Sequence, residues 1–310
     1  MTRILVAGAS GLLGGELVLT AAQEHELIAV THRHPLIAPP GVVALSADLT
    51  QPGEAARVVG DCRPAWVINA AAATEVDALE SQPEWADQAN RVLPANLARA
   101  CRAVGAGFVH ISTDAIFDGR APRPYREDDP PGPQNVYAAS KLAGEQAVRA
   151  AAPDALVIRT TIFGWNAQPK LSLAEWFLSR LEAGDDPPGF VDAWFTPINT
   201  AHVAELLLDL LARHAPGGIY HLPGAECLTK HDFGRRVAAA FGHDPARIRP
   251  ARQVEVPGRA RRGARSCLDG AKVAAALGRA LPTVTDGLAR LMADQNNGRR
   301  DALRRMGGQT

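Results

Sequence analysis

Lysine and tyrosine are scarce in this 310-residue chain, with four Lys and three Tyr. The basic residues are nearly all arginine, and Lys+Arg equals Asp+Glu at 33 each, so the formal net charge is zero. A chain without a basic surplus is a poor partner for nucleic acid, because phosphate binding needs one. The four cysteines (Cys62, Cys101, Cys227, Cys267) are scattered, with no C-x-x-C and no Cys/His cluster. That pattern offers no metal site and reads as reduced thiols in a cytoplasmic protein. No apolar run approaches the roughly 20 residues that span a bilayer. The opening "MTRILVAG" enters a strand directly, leaving no room for a signal peptide.

Short apolar runs alternate with helical stretches. "RILVAG", "ELIAVTH", "VVALSADL", "AWVINAAA", "GFVHISTD" and "ALVIRTTIFG" read as strands. Between them, "LLGGELVLTAAQ", "EAARVVGDC", "PEWADQANRVLPANLARACRAVG" and the segment around Tyr137 read as helices. Strand–helix alternation without Asn-Gly hairpin signals predicts a doubly wound α/β fold, a parallel Rossmann sheet covered on both faces. Residues 1–160 are expected to form this domain. Pro/Gly-rich segments loosen the pattern afterwards, so 161–292 is expected to form mainly a smaller α/β substrate lobe, with about 195–215 returning to the core. The polar stretch 293–310 is expected to be a loose tail.

"VAGASGLLGGEL" places Gly8, Gly11 and Gly14 between the first strand and a helix. There Gly8 permits a tight turn, Gly11 a close backbone approach to a pyrophosphate, and Gly14 close helix–strand packing. The helix start, with Leu12 and Leu13, presents free N–H groups to phosphate. After the second strand comes "THRH", with no acid to hold an adenosine ribose as NAD sites usually require. His32 and Arg33 stand there instead, and Arg33 suits a 2′-phosphate. NADPH is therefore the expected cofactor, with NADH the alternative and a solvated Arg33 the bland one. Asp48 and Leu49 follow the third strand and suit the adenine. Ala70, Ala71 and Ala72 follow the fourth and let the backbone run close to the cofactor.

The rare residues meet in "VYAASK", where Tyr137 precedes Lys141 by four. With so few of each, such a spacing is expected by chance about 0.04 times. One helical turn puts both on one face. An ammonium there lowers the phenol's pKa and can hold the nicotinamide ribose, while the phenol protonates an oxygen as hydride reaches its carbon. "HISTDAIFDG" brings Thr113, a donor to a carbonyl, and Asp114, an acceptor for a sugar hydroxyl, to the end of a strand. A helix cap or turn is the plainer reading of those two.

The glycine turn, "VINAAAATEVDALE", "VHISTDAIFDG", "PQNVYAASKLAGEQAV" and "IRTTIFG" resemble the extended short-chain dehydrogenase/reductases, within them the dTDP-4-dehydrorhamnose reductase-like family. The likeness is specific over about residues 3–164 and weaker to about 292. It implies NAD(P)H-dependent reduction of the C4 ketone of a nucleotide-linked 4-keto-6-deoxysugar. Tyr137 would be the proton donor, Lys141 its partner, and Thr113 and Asp114 sugar contacts. Gly11, Leu12, Leu13, Asp48, Leu49 and Ala70 to Ala72 would contact the cofactor. The family's "RTSW" tryptophan is replaced by Ile162, for which Trp165 is expected to compensate at the sugar. Arg262 is retained as a substrate contact, and Arg265 stands where Asn is usual, beside the diphosphate or in a solvated run. The resemblance leaves room for a homodimer. A 4,6-dehydratase would need Glu where Ala115 stands. An epimerase would hold NAD tightly. A non-catalytic NADP-binding regulatory subunit, like the β subunit of methionine adenosyltransferase, would need only the fold.

Overall fold

A computed structural model describes residues 1–309. Its central sheet is parallel and seven-stranded: β1 (Arg3–Ala7), β2 (Glu26–Thr31), β3 (Val42–Ser46), β4 (Trp66–Asn69), β5 (Gly107–Thr113), β6 (Leu156–Thr160) and β7 (Gly218–His221). They lie in the order β7-β6-β5-β4-β1-β2-β3. Side chains alternate across each strand, so both faces must be covered. Ile4 and Val6 of β1 pack with Leu13, Leu17, Leu207 and Leu210 on one face. Leu5 and Ala7 pack with Val58, Val59, Leu97 and Val148 on the other. Strand order reverses between β1 and β4, which opens a crevice at their carboxyl ends.

The helix expected around Pro94 carries a wide turn. Pro83–Asp87 and Leu93–Val104 are α-helical, and Gln88–Val92 between them is a π-helical turn. A proline lacks an N–H and crowds the preceding turn, and this wider turn takes up the mismatch.

A third core, built on Phe163, Phe177, Phe195, Phe233, Leu288 and Leu291, belongs to the smaller lobe. The chain crosses back to the sheet more than once. Helix Thr200–Ala212, strand β7, and Val273 and Leu277 of helix Ala271–Leu277 all join the first core.

Two expectations are corrected. The stretch after 293 is not a loose tail: helix Arg299–Met306 buries Leu303 and Met306, and Arg299 pairs with the buried Glu16 of helix Leu12–Ala21. Nor are all the cysteines reduced thiols. Cys227 and Cys267 form a disulfide across 40 residues, while Cys62 and Cys101 are free. Among the described residues no helix is long and apolar enough to cross a membrane.

Burial raises the Glu16 carboxyl's pKa, and Arg299 is the chief opposing charge. Arg299→Met leaves that carboxylate buried without its partner and should cost about 3 kcal/mol. Equilibrium urea unfolding checks this, and an unchanged midpoint would mean the terminal helix is not docked.

Candidate active site

The glycine turn has the shape its residues imply. Gly8 adopts φ +77°, and a Cβ there would lie 2.5 Å from the Ala71 nitrogen. A Cβ on Gly14 would lie 2.0 Å from the Gly8 carbonyl oxygen, so the helix can start this close to β1 only with glycine there. The Gly8 and Ala9 N–H groups donate to the Val30 carbonyl and pin the turn to β2. Gly11 caps the helix without a side-chain acceptor. The N–H groups of Leu12, Leu13 and Gly14 are thus left for a ligand anion. Leu13 and Leu49 bury their side chains in the sheet cores, so only their backbones can serve a ligand.

At the end of β2, Arg33 is exposed, but its guanidinium lies 3.7 Å from the centre of the Trp85 ring. Stacking of this kind orients the planar cation while its edge stays free to donate. His32 Nδ1 lies 3.7 Å from the Asp48 carboxylate. Asp48 accepts from Thr50 and Gln51. Burial pushes its pKa up, and these bonds outweigh that and hold it below the usual range.

Helix Val136–Ala151 begins at Asn135, whose side chain accepts from the Ala138 N–H. Its first turns bring Tyr137 and Lys141 to the carboxyl end of β5, where Thr113 and Asp114 lie. Lys141 is 2% exposed, and its ammonium donates to the Ile111 carbonyl at 2.7 Å. Burial brings its pKa down to about 8, against the pull of Glu145. Burial pushes the Tyr137 phenol up to about 12; the Thr113 hydroxyl opposes this and the Asp114 carboxylate adds to it. The expected depression by Lys141 does not govern the phenol, whose burial dominates. Thr113 Oγ1 donates to Asp114 Oδ1 at 3.1 Å and accepts from the Ala115 N–H. Asp114 is 8% exposed, and its other oxygen accepts from Ser266 at 2.6 Å.

Several contributors escaped the sequence reading. Asn90, in the π-helical turn, accepts from the Ala73 N–H and donates to the Ala73 carbonyl and to Ser140. It thereby joins the loop after β4 to the helix of Tyr137. Glu145, one turn beyond Lys141, accepts from Ser112 and from Arg159 at 2.8 Å. The i, i+4 spacing in "KLAGE" was the available signal.

Two substrate expectations fare differently. Trp165 does not face the crevice. It is 5% exposed in the third core, its indole N–H donates to the Leu291 carbonyl, and Phe241 packs on it edge-on. It cannot replace the missing aromatic at Ile162, which is paired with Ile198 at the start of the lobe. Arg262 does reach the loop above the site, but Asp77 holds its guanidinium at 2.9 Å. Arg265 lies over Trp194, 5.1 Å from the ring centre. Among the described residues no three His, Cys, Asp or Glu side chains gather as a metal site.

The sequence pattern of the family described as RmlD substrate binding domain matches residues 1–297. The chain is 38% identical over 274 residues to a dTDP-4-dehydrorhamnose reductase of Mycobacterium tuberculosis, covering 86% of this chain and 84% of that one. It is 35% identical over 293 residues to a Haloferax volcanii protein described as a probable low-salt glycan biosynthesis reductase, with 93% and 96% covered. Among solved structures it is similar to a Clostridium acetobutylicum dTDP-4-dehydrorhamnose reductase, with a TM-score of 0.82, 26% identity, and 94% and 99% of the two chains covered. A Bacillus anthracis dTDP-4-dehydrorhamnose reductase, solved in complex with NADP, shares the fold at a TM-score of 0.81 and 24% identity, with 94% and 99% covered.

Gly14→Ala forces its new methyl against the Gly8 carbonyl and displaces the phosphate-facing turn. Dinucleotide affinity should fall about tenfold or more, a loss of about 1.4 kcal/mol. Calorimetric titration with NADPH measures it, and unchanged affinity would remove the turn from the binding site.

Proposed function

The chain belongs to the RmlD substrate binding domain family, and on that footing we propose that it reduces the C4 ketone of a nucleotide-linked 4-keto-6-deoxysugar with NADPH, or with NADH. The observation that carries the reading is the grouping of Tyr137, Lys141 and Thr113 at the carboxyl edge of β5, on the same edge as the glycine turn.

The cofactor fits the residues present. The clearance at Gly8 and Gly14 and the uncapped N–H groups of Leu12, Leu13 and Gly14 suit a pyrophosphate. Ala70 to Ala72 leave room beside it. Arg33, held flat by Trp85, suits a 2′-phosphate, and Asp48 lies at the adenosine end. When bound, the reduced nicotinamide supplies a hydride.

The chain's own part is to place and move a proton. A phenol with its pKa near 12 is protonated throughout the physiological range, which is the state a donor needs. Tyr137 delivers its proton to the oxygen that becomes the C4 hydroxyl. The phenolate left behind is stabilised by the Thr113 hydroxyl and by the Lys141 ammonium one turn away. Thr113 has one proton, now given to Asp114. Turning it toward the phenolate or the substrate oxygen takes a hydroxyl rotation and exchanges the Asp114 bond for the new one. Asp114 and the loop around Arg262 hold the substrate.

Tyr137→Phe removes only the hydroxyl. Turnover of a nucleotide 4-keto-6-deoxysugar, followed by loss of reduced-nicotinamide absorbance, should fall on the order of 10²-fold or more while NADPH affinity stays near normal. Unchanged turnover would end the mechanism. The pH profile has a definite sign. Lys141 is charged below about 8 and neutral above it, so kcat should decline as pH rises through that value. Lys141→Met should abolish this limb along with most of the rate. A wild-type rate that climbs through the same interval contradicts the assignment.

A further inference from the structure

Lys230 opens helix Lys230–Ala240 directly after the short strand Leu228–Thr229, which pairs with Trp194–Phe195. Its side chain is partly buried, with Nζ 6.0 Å from the centre of the Phe195 ring. Its backbone N–H donates to the Ala193 carbonyl, and the next residue, Trp194, accepts through its carbonyl from Ser266, the same serine that donates to Asp114, so the lysine and the carboxylate are joined through one short stretch of backbone; Arg259 and Arg262 are also within electrostatic reach. Among the described residues the Lys230 ammonium has the Phe195 ring beside it and makes no side-chain ion pair. A partly buried ammonium without such a pair forgoes a charge-assisted bond that a ligand can restore.

We propose, on the nucleotide-sugar reading above, that Lys230 sets sugar specificity by forming with Asp114 a donor–acceptor pair that reads the hydroxyl at C3. Asp114 adjoins Thr113, whose hydroxyl meets the proton donor. The carboxylate therefore lies beside the reacting carbonyl and faces a substituent on a neighbouring carbon. In a 4-keto-6-deoxysugar, C5 carries a methyl group, so C3 is the neighbour that bears a hydroxyl. That hydroxyl can donate to Asp114 and accept from Lys230 in the same pose. The charges agree with this division of labour. At Asp114 and Lys230 one negative and one positive group offset each other, matching an uncharged ring. Arg259 and Arg262, which act on the same lysine, also face Asp77 and leave a cationic surplus for the diphosphate.

The test compares kcat/KM on a nucleotide 4-keto-6-deoxysugar and on its 3-deoxy counterpart. Wild-type protein should favour the hydroxylated substrate on the order of 10²-fold, the worth of a hydrogen bond to a charged group. In Lys230→Met the preference should shrink to within about fivefold, through loss on the hydroxylated substrate alone. Lys230→Gln, which keeps a neutral donor, should retain part of the preference, and it carries the same readout if the Met variant does not fold. An unchanged ratio, or equal losses on both substrates as a diphosphate contact would give, overturns the proposal. A wild-type protein that turns over both substrates equally also overturns it while leaving the reductase reading standing. One that reduces neither sinks that reading itself, and the proposal with it.

Discussion

The site depends on a buried carboxylate. Glu145 lies one helical turn from Lys141, takes the Ser112 hydroxyl of β5, and receives a forked pair of bonds from Arg159 of β6. One side chain thus fixes a helix against two strands. Both members of the pair are nearly inaccessible, at 4% and 2% exposed. Such a pair is a weak contributor to net stability, because desolvation offsets most of the attraction. Losing one partner is another matter, costing about 3–5 kcal/mol for the charge left behind. What the pair supplies here is register. The pair acts together with the Asn90–Ser140 bond and the Lys141 bond to the Ile111 carbonyl, while Ala138 is buried and Gly144 packs so closely that a Cβ would lie 2.0 Å from the Asn90 carbonyl oxygen. Small residues bring the helix close without keying its rotation. The ion pair and these bonds key it, and so aim Tyr137 and Lys141.

Behind the pair the chain continues to His221. Its Nδ1 faces the Tyr125 carbonyl at 3.0 Å, and its Nε2 faces an Arg159 N–H at 3.3 Å. A carbonyl only accepts, so Nδ1 carries the proton and Nε2 accepts from Arg159. Burial, with the neighbouring guanidinium, brings the imidazole down to about 3 and keeps it neutral. Arg159 therefore has one charged partner and two neutral acceptors, His221 and the Glu127 carbonyl, and its positive charge is directed to Glu145. The seventh strand, which carries His221, is in this way tied to the helix of Tyr137 through a continuous polar chain.

Much of this was legible in the sequence because the signals are local. The glycine turn, the i, i+4 pair and the alternation of strand and helix are each written within a few residues, and each appears where its spacing implied. The Asp114–Ser266 bond, the Trp165–Leu291 bond, the Cys227–Cys267 disulfide and the Arg299–Glu16 pair join residues 152, 126, 40 and 283 positions apart. No periodicity encodes such partners. Trp165 illustrates the difficulty: a tryptophan three residues beyond an altered aromatic position looks like its replacement. Ile162 and Phe163 form a short strand, and beyond it the chain enters the third core, so proximity in sequence did not become proximity to the sugar. The terminal helix misled for the opposite reason. Its composition is polar, but two apolar residues and one arginine suffice to dock a short helix where a buried carboxylate waits.

The loop of residues 260–267 is held from three sides. Asn135, which caps the helix of Tyr137, also donates to the Arg261 carbonyl at 2.7 Å. Asp77, beyond β4, accepts from the Ala260 N–H and pairs with Arg262. Ser266 donates to Asp114, and next to it Cys267 is bonded to Cys227. The loop that carries the arginines thus shares a residue with the cap that starts the helix and another with the carboxylate beside the donor. A shift of this loop cannot leave the proton donor undisturbed, because the Asn135 side chain serves both. On the proposed reading, substrate grip and proton placement are joined by hydrogen bonds of ordinary length, and a binding change at the arginines should be felt in kcat as well as KM. An arrangement in which the lobe merely roofed the cofactor would have no need of those shared residues.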